Sequence, residues 1–221
     1  MVENSLNREF LRLPACRPGM RIGIFGGSFD PPHDGHLKVS LVALKALALD
    51  QVWWLVSPQN PLKSKPPSQD LARRISAARA IASHPYIRVT GVEAALGTTY
   101  TAETIRELVP RLRGINLVWM MGADNLADFH HWRQWPAIAA SVPLAVFNRP
   151  GSALRALASP AAKALAKSRI PEPAAPTLAG AHAPAWVFLS KPHIPLSSTA
   201  IRQATLRPKQ RLESITDSSL C

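Results

Sequence analysis

The sequence predicts a doubly wound α/β fold, with one parallel sheet and helices on both faces. Three observations carry that expectation. Short apolar runs alternate with stretches of helical periodicity through most of the 221 residues, as crossover-connected parallel strands require. The first run, Arg21-Ile22-Gly23-Ile24-Phe25-Gly26-Gly27, is a buried strand running into a tight turn. A hydrophobic content of 47% supplies the large core that such a fold buries and excludes wholesale disorder.

The elements follow in order. After the strand at 21–27, Leu37, Leu41, Leu44 and Ala48 recur at helical spacing across 35–49. A strand at 52–56 precedes a Pro-rich loop at 57–68, a helix at 70–83 and a strand near 87–92. Residues 101–112 read as helix, 117–121 as strand, 132–140 as helix and 144–147 as strand. A last strand at 186–189 leads to a short helix beginning near Ser198. Residues 1–20 read as a loose leader, 21–206 as the one functional domain, and 207–221 as a polar, fraying tail. The stretch 151–185 stands apart, with 13 Ala and 5 Pro. Its first half suits an Ala-rich helix over 153–167 and its second a flexible connector over 171–184.

The charge balance, 26 Lys and Arg against 14 Asp and Glu, leaves +12 and favours anionic partners: nucleic acid, acidic lipid or a polyphosphate. The positive charges are spread along the chain in no block of five, which weakens the case for a nucleic-acid tail. No apolar run reaches the ~18 residues that cross a bilayer. The first twenty residues have no apolar segment of secretory type. Two cysteines, Cys16 and Cys221, exclude a disulfide scaffold. These features point to a soluble, cytoplasmic protein.

Ligands of doubly wound folds bind beyond the carboxyl ends of the strands. That directs attention to the loops after Phe25, Val56, Met121 and Leu189. The first is the richest: Gly26-Gly27-Ser28-Phe29-Asp30-Pro31-Pro32-His33-Asp34-Gly35-His36. Paired glycines allow close backbone approach, and the helix that follows offers unpaired N–H groups and a positive dipole end. Ser28 adds a hydroxyl, and His33 and His36, three apart, can face one ligand. The loop is neither a P-loop, lacking Gly-Lys-Ser/Thr, nor a dinucleotide G-x-G-x-x-G. Two histidines could start a zinc site, but no third ligand is evident and no metal ligands are assigned. The plainer alternative has Asp34 capping the helix and both histidines at the surface.

This stretch resembles the signature of the nucleotidylyltransferase superfamily of the His-x-Gly-His type, here His33-Asp34-Gly35-His36. Its members have a Rossmann-like sheet and transfer a nucleotide monophosphate group to a phosphate acceptor, releasing pyrophosphate. The resemblance implies a second motif near the carboxyl end, which Leu196-Ser197-Ser198-Thr199-Ala200-Ile201-Arg202 matches with one departure, at Leu196. Ser197 or Ser198 would cap a helix, Thr199 adds a hydroxyl, and Arg202 lies one turn on with a planar fork for phosphate.

Further segments are similar to bacterial nicotinate-nucleotide adenylyltransferases: Asn60-Pro61-Leu62-Lys63, Gly97-Thr98-Thr99-Tyr100-Thr101, and Met121-Gly122-Ala123-Asp124-Asn125 followed by Trp132 and Trp135. That resemblance implies that Lys63 approaches the phosphates and Asp124 the nucleotide ribose. Trp132 would stack on the pyridine ring, and Tyr100 and Thr101 would border the nicotinate carboxylate, with backbone N–H groups as donors. On spacing alone, Trp132 and Trp135 suit a core stripe better than a stacking platform, and Asp124 also suits an N-cap and Lys63 a solvated loop. His130 and His131 read as structural.

The implied reaction joins ATP and nicotinate mononucleotide into nicotinate adenine dinucleotide and pyrophosphate, by in-line attack with no covalent intermediate. His33, His36, Lys63 and Arg202 would be the catalytic contacts, with Gly26, Gly27, Ser28, Phe29, Ser198 and Thr199 completing the ATP cradle. Mg²⁺ is expected with ATP. The expected partners are these small molecules, with no nucleic acid and no membrane, and a homo-oligomer is left open. Rival readings are a phosphopantetheine adenylyltransferase, a nicotinamide-preferring relative, and a nucleotide- or nucleic-acid-binding protein without turnover.

Overall fold

The computed structural model describes residues 8–58, 67 and 69–191. Its sheet is parallel throughout. In chain order the elements are β1 (Arg21–Gly27), α1 (Asp34–Ala46), β2 (Gln51–Val56), α2 (Leu71–Ile81), β3 (Ile87–Thr90), α3 (Val92–Leu96), α4 (Thr101–Arg111), β4 (Asn116–Gly122), α5 (Ala123–Asp128), α6 (Trp135–Ser141), β5 (Leu144–Phe147), α7 (Ala153–Leu157), α8 (Pro160–Ala164), β6 (Arg169–Ile170) and β7 (Trp186–Leu189). The strands stand in the order β3-β2-β1-β4-β5-β7-β6, and each neighbouring pair is parallel.

The interiors of β1, β2, β4, β5 and β7 are apolar because both faces of the sheet are covered there. Along β4, Leu117, Trp119 and Met121 join one core with Ile24, Ile105 and Phe129. Val118 and Met120 join the other, with Phe25, Trp54 and Leu47. This period of two is the pleat itself. The strand order reverses between β1 and β4, so the crevice of the fold opens beyond Gly27 and Gly122.

Several expected boundaries move, each for a local reason. The helix expected from 132 begins at Trp135 instead, because Pro136 lacks an N–H and is tolerated only in a first turn. The strand expected to 92 stops at Thr90, whose Oγ1 accepts the Val92 N–H and starts α3. A short helix, α5, follows Gly122 directly where none was expected. The Ala-rich helix expected over 153–167 is broken. Ser159 accepts the Ala162 N–H as an N-cap, and Pro160 opens α8.

Two larger expectations are corrected. The stretch expected to be a flexible connector contains a 3-10 helix, Glu172–Gly180, which buries Ala175, Leu178 and Ala179 in the core that contains Phe25 and Val187. Small side chains let this backbone lie close to the sheet, so few large ones are needed. Nor are residues 8–20 loose. The Phe10 carbonyl accepts the Gly91 N–H at 2.7 Å, and the Arg79 guanidinium lies 4.2 Å above the Phe10 ring. The helix expected near Ser198 and the tail at 207–221 lie outside the described residues.

Candidate active site

At the switch point, the loop after β1 turns into α1 through two histidines. His33 is the N-cap, with extended backbone, and its Nδ1 accepts the Gly35 N–H at 3.1 Å. His36 Nδ1 reaches back to accept the His33 N–H at 3.2 Å. The two rings lie 3.9 Å apart, centre to centre. Asp34 is the first helical residue and not the cap, which removes the plainer reading of this motif. An Nδ1 that accepts a hydrogen bond leaves the proton of a neutral imidazole on Nε2. His33 Nε2 is buried and has no partner among the described residues. Burial, and then the Arg149 charge, push the His33 pKa below its ordinary value, and Asp34 opposes them only in part. The lowered pKa favours the neutral ring, whose Nε2–H has no acceptor among the described residues.

The rest of the loop is fixed from below. Phe29 has a left-handed φ of 45°. Its ring is fully buried, stacked 5.0 Å from Trp54 and 4.7 Å from His36. Only its backbone can meet a ligand. Trp54 Nε1 donates to Ser40 Oγ, which donates to the His36 carbonyl, so the core strand β2 holds the motif helix. Ser28 is buried beside the loop. The two glycines have a packing role that composition does not reveal. A Cβ on Gly26 would sit 3.0 Å from the Trp119 ring, and one on Gly27 3.3 Å from Phe29.

Beyond β4, Asp124 lies in the first turn of α5, and its Oδ2 accepts from Arg149 Nη1 at 3.3 Å. Asp124 Oδ1 is buried without a partner among the described residues, an acceptor that a ligand hydroxyl could use. The N-cap of α5 is Gly122, so Asp124 is not a cap. Gly122 is required here, since a Cβ would fall 2.3 Å from Asp124 Oδ1 and 3.1 Å from Arg149 Nε. Arg149 was not singled out in the sequence. Its position just past the carboxyl end of β5 is the signal that could have nominated it.

On the acceptor side, Tyr100 is the N-cap of α4 and Thr101 its first residue. The N–H groups of Thr99 and Tyr100 both donate to Glu103 Oε2 at 3.3 Å. Of the backbone donors expected at Tyr100 and Thr101, the Tyr100 N–H is therefore engaged by a carboxylate of the chain itself. Arg133 lies 4.8 Å above the Tyr100 ring and 3.5 Å from Glu103, which brings the loop of Trp132 to the start of α4. Trp132 is half-buried, and it and Trp135 both meet Phe129 edge-on, at 5.3 and 5.7 Å. Beneath them Glu93 is a buried acid, its pKa raised by burial. It accepts from Thr104 Oγ1, which also pairs with Thr98 Oγ1, and it is hydrogen-bonded to the Ser57 side chain.

Lys63, Ser198, Thr199 and Arg202 lie outside the described residues. Among the described residues, no three His, Cys, Asp or Glu side chains converge to hold a metal ion, and no helix is long and apolar enough to cross a membrane. Arg74, which is buried, is a second residue that sequence reasoning missed. An arginine on a helix face gives no sign in sequence that it points inward.

The cytidylyltransferase-like family model matches residues 24–204. A protein of Cereibacter sphaeroides, named a probable nicotinate-nucleotide adenylyltransferase, is 54% identical over 183 residues, covering 83% of this chain and 96% of the relative. A Rhizobium meliloti protein of the same name is 50% identical over 185 residues, covering 84% and 98%. The structure of Plasmodium falciparum nicotinic acid mononucleotide adenylyltransferase with NaAD superposes with a TM-score of 0.63. It shares 16% identity and covers 82% of each chain, a likeness of fold.

Proposed function

The chain belongs to the nicotinate-nucleotide adenylyltransferase family, and we propose that the crevice beyond β1 and β4 carries out adenylyl transfer by a single in-line displacement. The enzyme is a nucleotidyltransferase of NAD biosynthesis. It converts ATP and nicotinate mononucleotide to nicotinate adenine dinucleotide and pyrophosphate. The observation that carries the placement is the pair of mutually capped imidazoles, with His33 Nε2 buried at the start of α1 and without a partner among the described residues.

An oxygen of the mononucleotide 5′-phosphate attacks the α-phosphorus of ATP. The new P–O bond forms as the bond to the β-phosphate bridge breaks, and pyrophosphate departs with that electron pair. The attacking phosphate is already anionic near neutral pH, so no general base is required. What the protein supplies is position and charge. His33 and His36 donate from Nε2 to α- and β-phosphate oxygens, and the α1 dipole adds to both. Arg149 brings a cation beside His33, and Asp124 Oδ1 receives a ribose hydroxyl. Lys63, Ser198, Thr199 and Arg202 complete the cradle, Trp132 covers the pyridine ring, and Tyr100 and Thr101 border its carboxylate.

Among the described residues no three His, Cys, Asp or Glu side chains converge to cage a cation, which fits Mg²⁺ carried on the phosphates of ATP. Bound there, it would neutralise charge accumulating on the leaving pyrophosphate. The reading includes a cytoplasmic location, where ATP is supplied.

The test is turnover with ATP and Mg²⁺ and three separate acceptors: nicotinate mononucleotide, nicotinamide mononucleotide and phosphopantetheine. Products are resolved by chromatography alongside pyrophosphate release. A kcat/KM about 100-fold higher for the nicotinate substrate, equivalent to about 2.7 kcal/mol, is expected. Equal rates with both mononucleotides would remove the carboxylate specificity, and no turnover with any acceptor would remove the reaction.

A further inference from the structure

Arg74 sits on the inner face of α2 and is 2% exposed. Its guanidinium donates to four backbone carbonyls among the described residues. Nε donates to Gln69 at 3.1 Å, Nη1 to Ser28 and to Ser57, both at 2.7 Å, and Nη2 to Pro58 at 2.9 Å. These carbonyls belong to the loops that leave β1 and β2 at the crevice end of the sheet. Asp30 and Asp70 lie close enough to favour the charge.

Stability alone does not explain a cation here. Burying a charge costs several kcal/mol, and well-packed apolar residues often replace buried ions without loss. Ile75 and Ala78 already anchor α2 in the core. What an arginine supplies, and an apolar residue does not, is direction. The Ser28 carbonyl points at the guanidinium, so in a trans peptide the Phe29 N–H points the opposite way. Phe29 stands at a left-handed φ with its ring held by Trp54 and His36; that φ is uncommon for a residue with a side chain, so the orientation of the Ser28–Phe29 peptide plane needs a partner to hold it. A flip would turn a donor into an acceptor in a loop that must receive phosphate.

We infer that Arg74 is a positioning residue for the nucleotide triphosphate, fixing the Ser28–Phe29 peptide so that the loop after β1 presents N–H groups to phosphate. This rests on the adenylyl-transfer reading of the same crevice.

The test uses Arg74→Met, which keeps length without donors, and Arg74→Lys, which keeps charge without the planar fork. ATP and nicotinate mononucleotide are varied separately, and each variant is melted. Arg74→Met is expected to lose about 10²-fold in kcat/KM for ATP, with the KM for nicotinate mononucleotide unchanged and Arg74→Lys in between. A lowered Tm with unaltered ATP kinetics, an equal loss toward both substrates, or a failure of both variants to fold would overturn the proposal. Calorimetric titration of wild type and variants with Mg-ATP separates it from the reading it rests on. If the wild type turns over no acceptor while the variants still bind Mg-ATP more weakly, the adenylyl-transfer reading fails and the role of Arg74 stands. Equal Mg-ATP binding by wild type and variants would overturn that role.

Discussion

His36 caps His33: the Nδ1 of the second histidine accepts the backbone N–H of the first at 3.2 Å, while His33 Nδ1 accepts from Gly35. Each ring therefore uses one nitrogen for folding and holds the proton of its neutral form on the other. The hydrogen bonds that begin α1 are the same ones that leave the His33 Nε2–H for a phosphate.

Substitution at His33 separates these two uses. Asn retains a side-chain acceptor for a capping bond, and Ala does not. His33→Asn is expected to melt close to wild type and to lose about 10²-fold in turnover. His33→Ala is expected to show the same catalytic loss and a further destabilisation of about 1 kcal/mol. Equal melting of the two variants would show that the cap contributes nothing.

The same geometry sets a pH dependence. The folded His33 pKa lies below its ordinary value of 6.5 because of burial and then Arg149, so the unfolded chain takes up that proton first. The contribution of His33 is present in full above 6.5, and it is lost as pH falls from there through the lowered folded value. Protonation also removes Nδ1 as an acceptor for Gly35. Thermal melts of wild type should fall more steeply on acidification than those of His33→Asn. Parallel curves would contradict the assignment.

Gly122→Ala tests the Asp124–Arg149 pair without touching either residue. The glycine has φ −76° and ψ 158°, which alanine adopts freely, but its Cβ would meet Asp124 Oδ1 at 2.3 Å. The carboxylate must move, and misplacement on the order of an ångström costs up to about 10²-fold in rate. A near wild-type Tm with turnover reduced roughly 10- to 100-fold is expected. Unchanged kinetics would remove the pair from the mechanism.

Glu93 behaves in the opposite sense to His33. Its pKa is raised, first by burial, so its contribution to stability is present below the ordinary 4.5 and is lost as pH rises through the raised folded value. Glu93→Gln cannot ionise and keeps an acceptor for Thr104. Its Tm should exceed that of wild type by more at about pH 8 than at about pH 5. A pH-independent difference would contradict this.

Most of the sheet was legible in the sequence because β1, β2, β4, β5 and β7 each centre on a short run of buried apolar residues, while β3 shows the alternation of Ile87 and Val89 with Arg88 and Thr90. The run at 144–147, for example, is β5 to the residue. The 3-10 helix at Glu172–Gly180 was not legible. Alanine buries so little surface that hydropathy does not separate a packed Ala-Pro segment from a linker. The histidine pair was visible as a motif, but its mutual capping was not, since Asp34 is the better capping residue by type. Arg149 and Arg74 act through tertiary partners 25 and 46 residues away, which local spacing cannot reveal.

The most direct test of the site is nitrogen-resolved NMR of the histidine side chains near neutral pH, before and after addition of Mg-ATP. His33 and His36 are expected as Nε2–H tautomers with unprotonated Nδ1, and their Nε2 signals should shift when Mg-ATP binds. An Nδ1–H tautomer at either residue, or Mg-ATP binding that leaves both Nε2 signals in place, would contradict the assignment of this crevice to the phosphates.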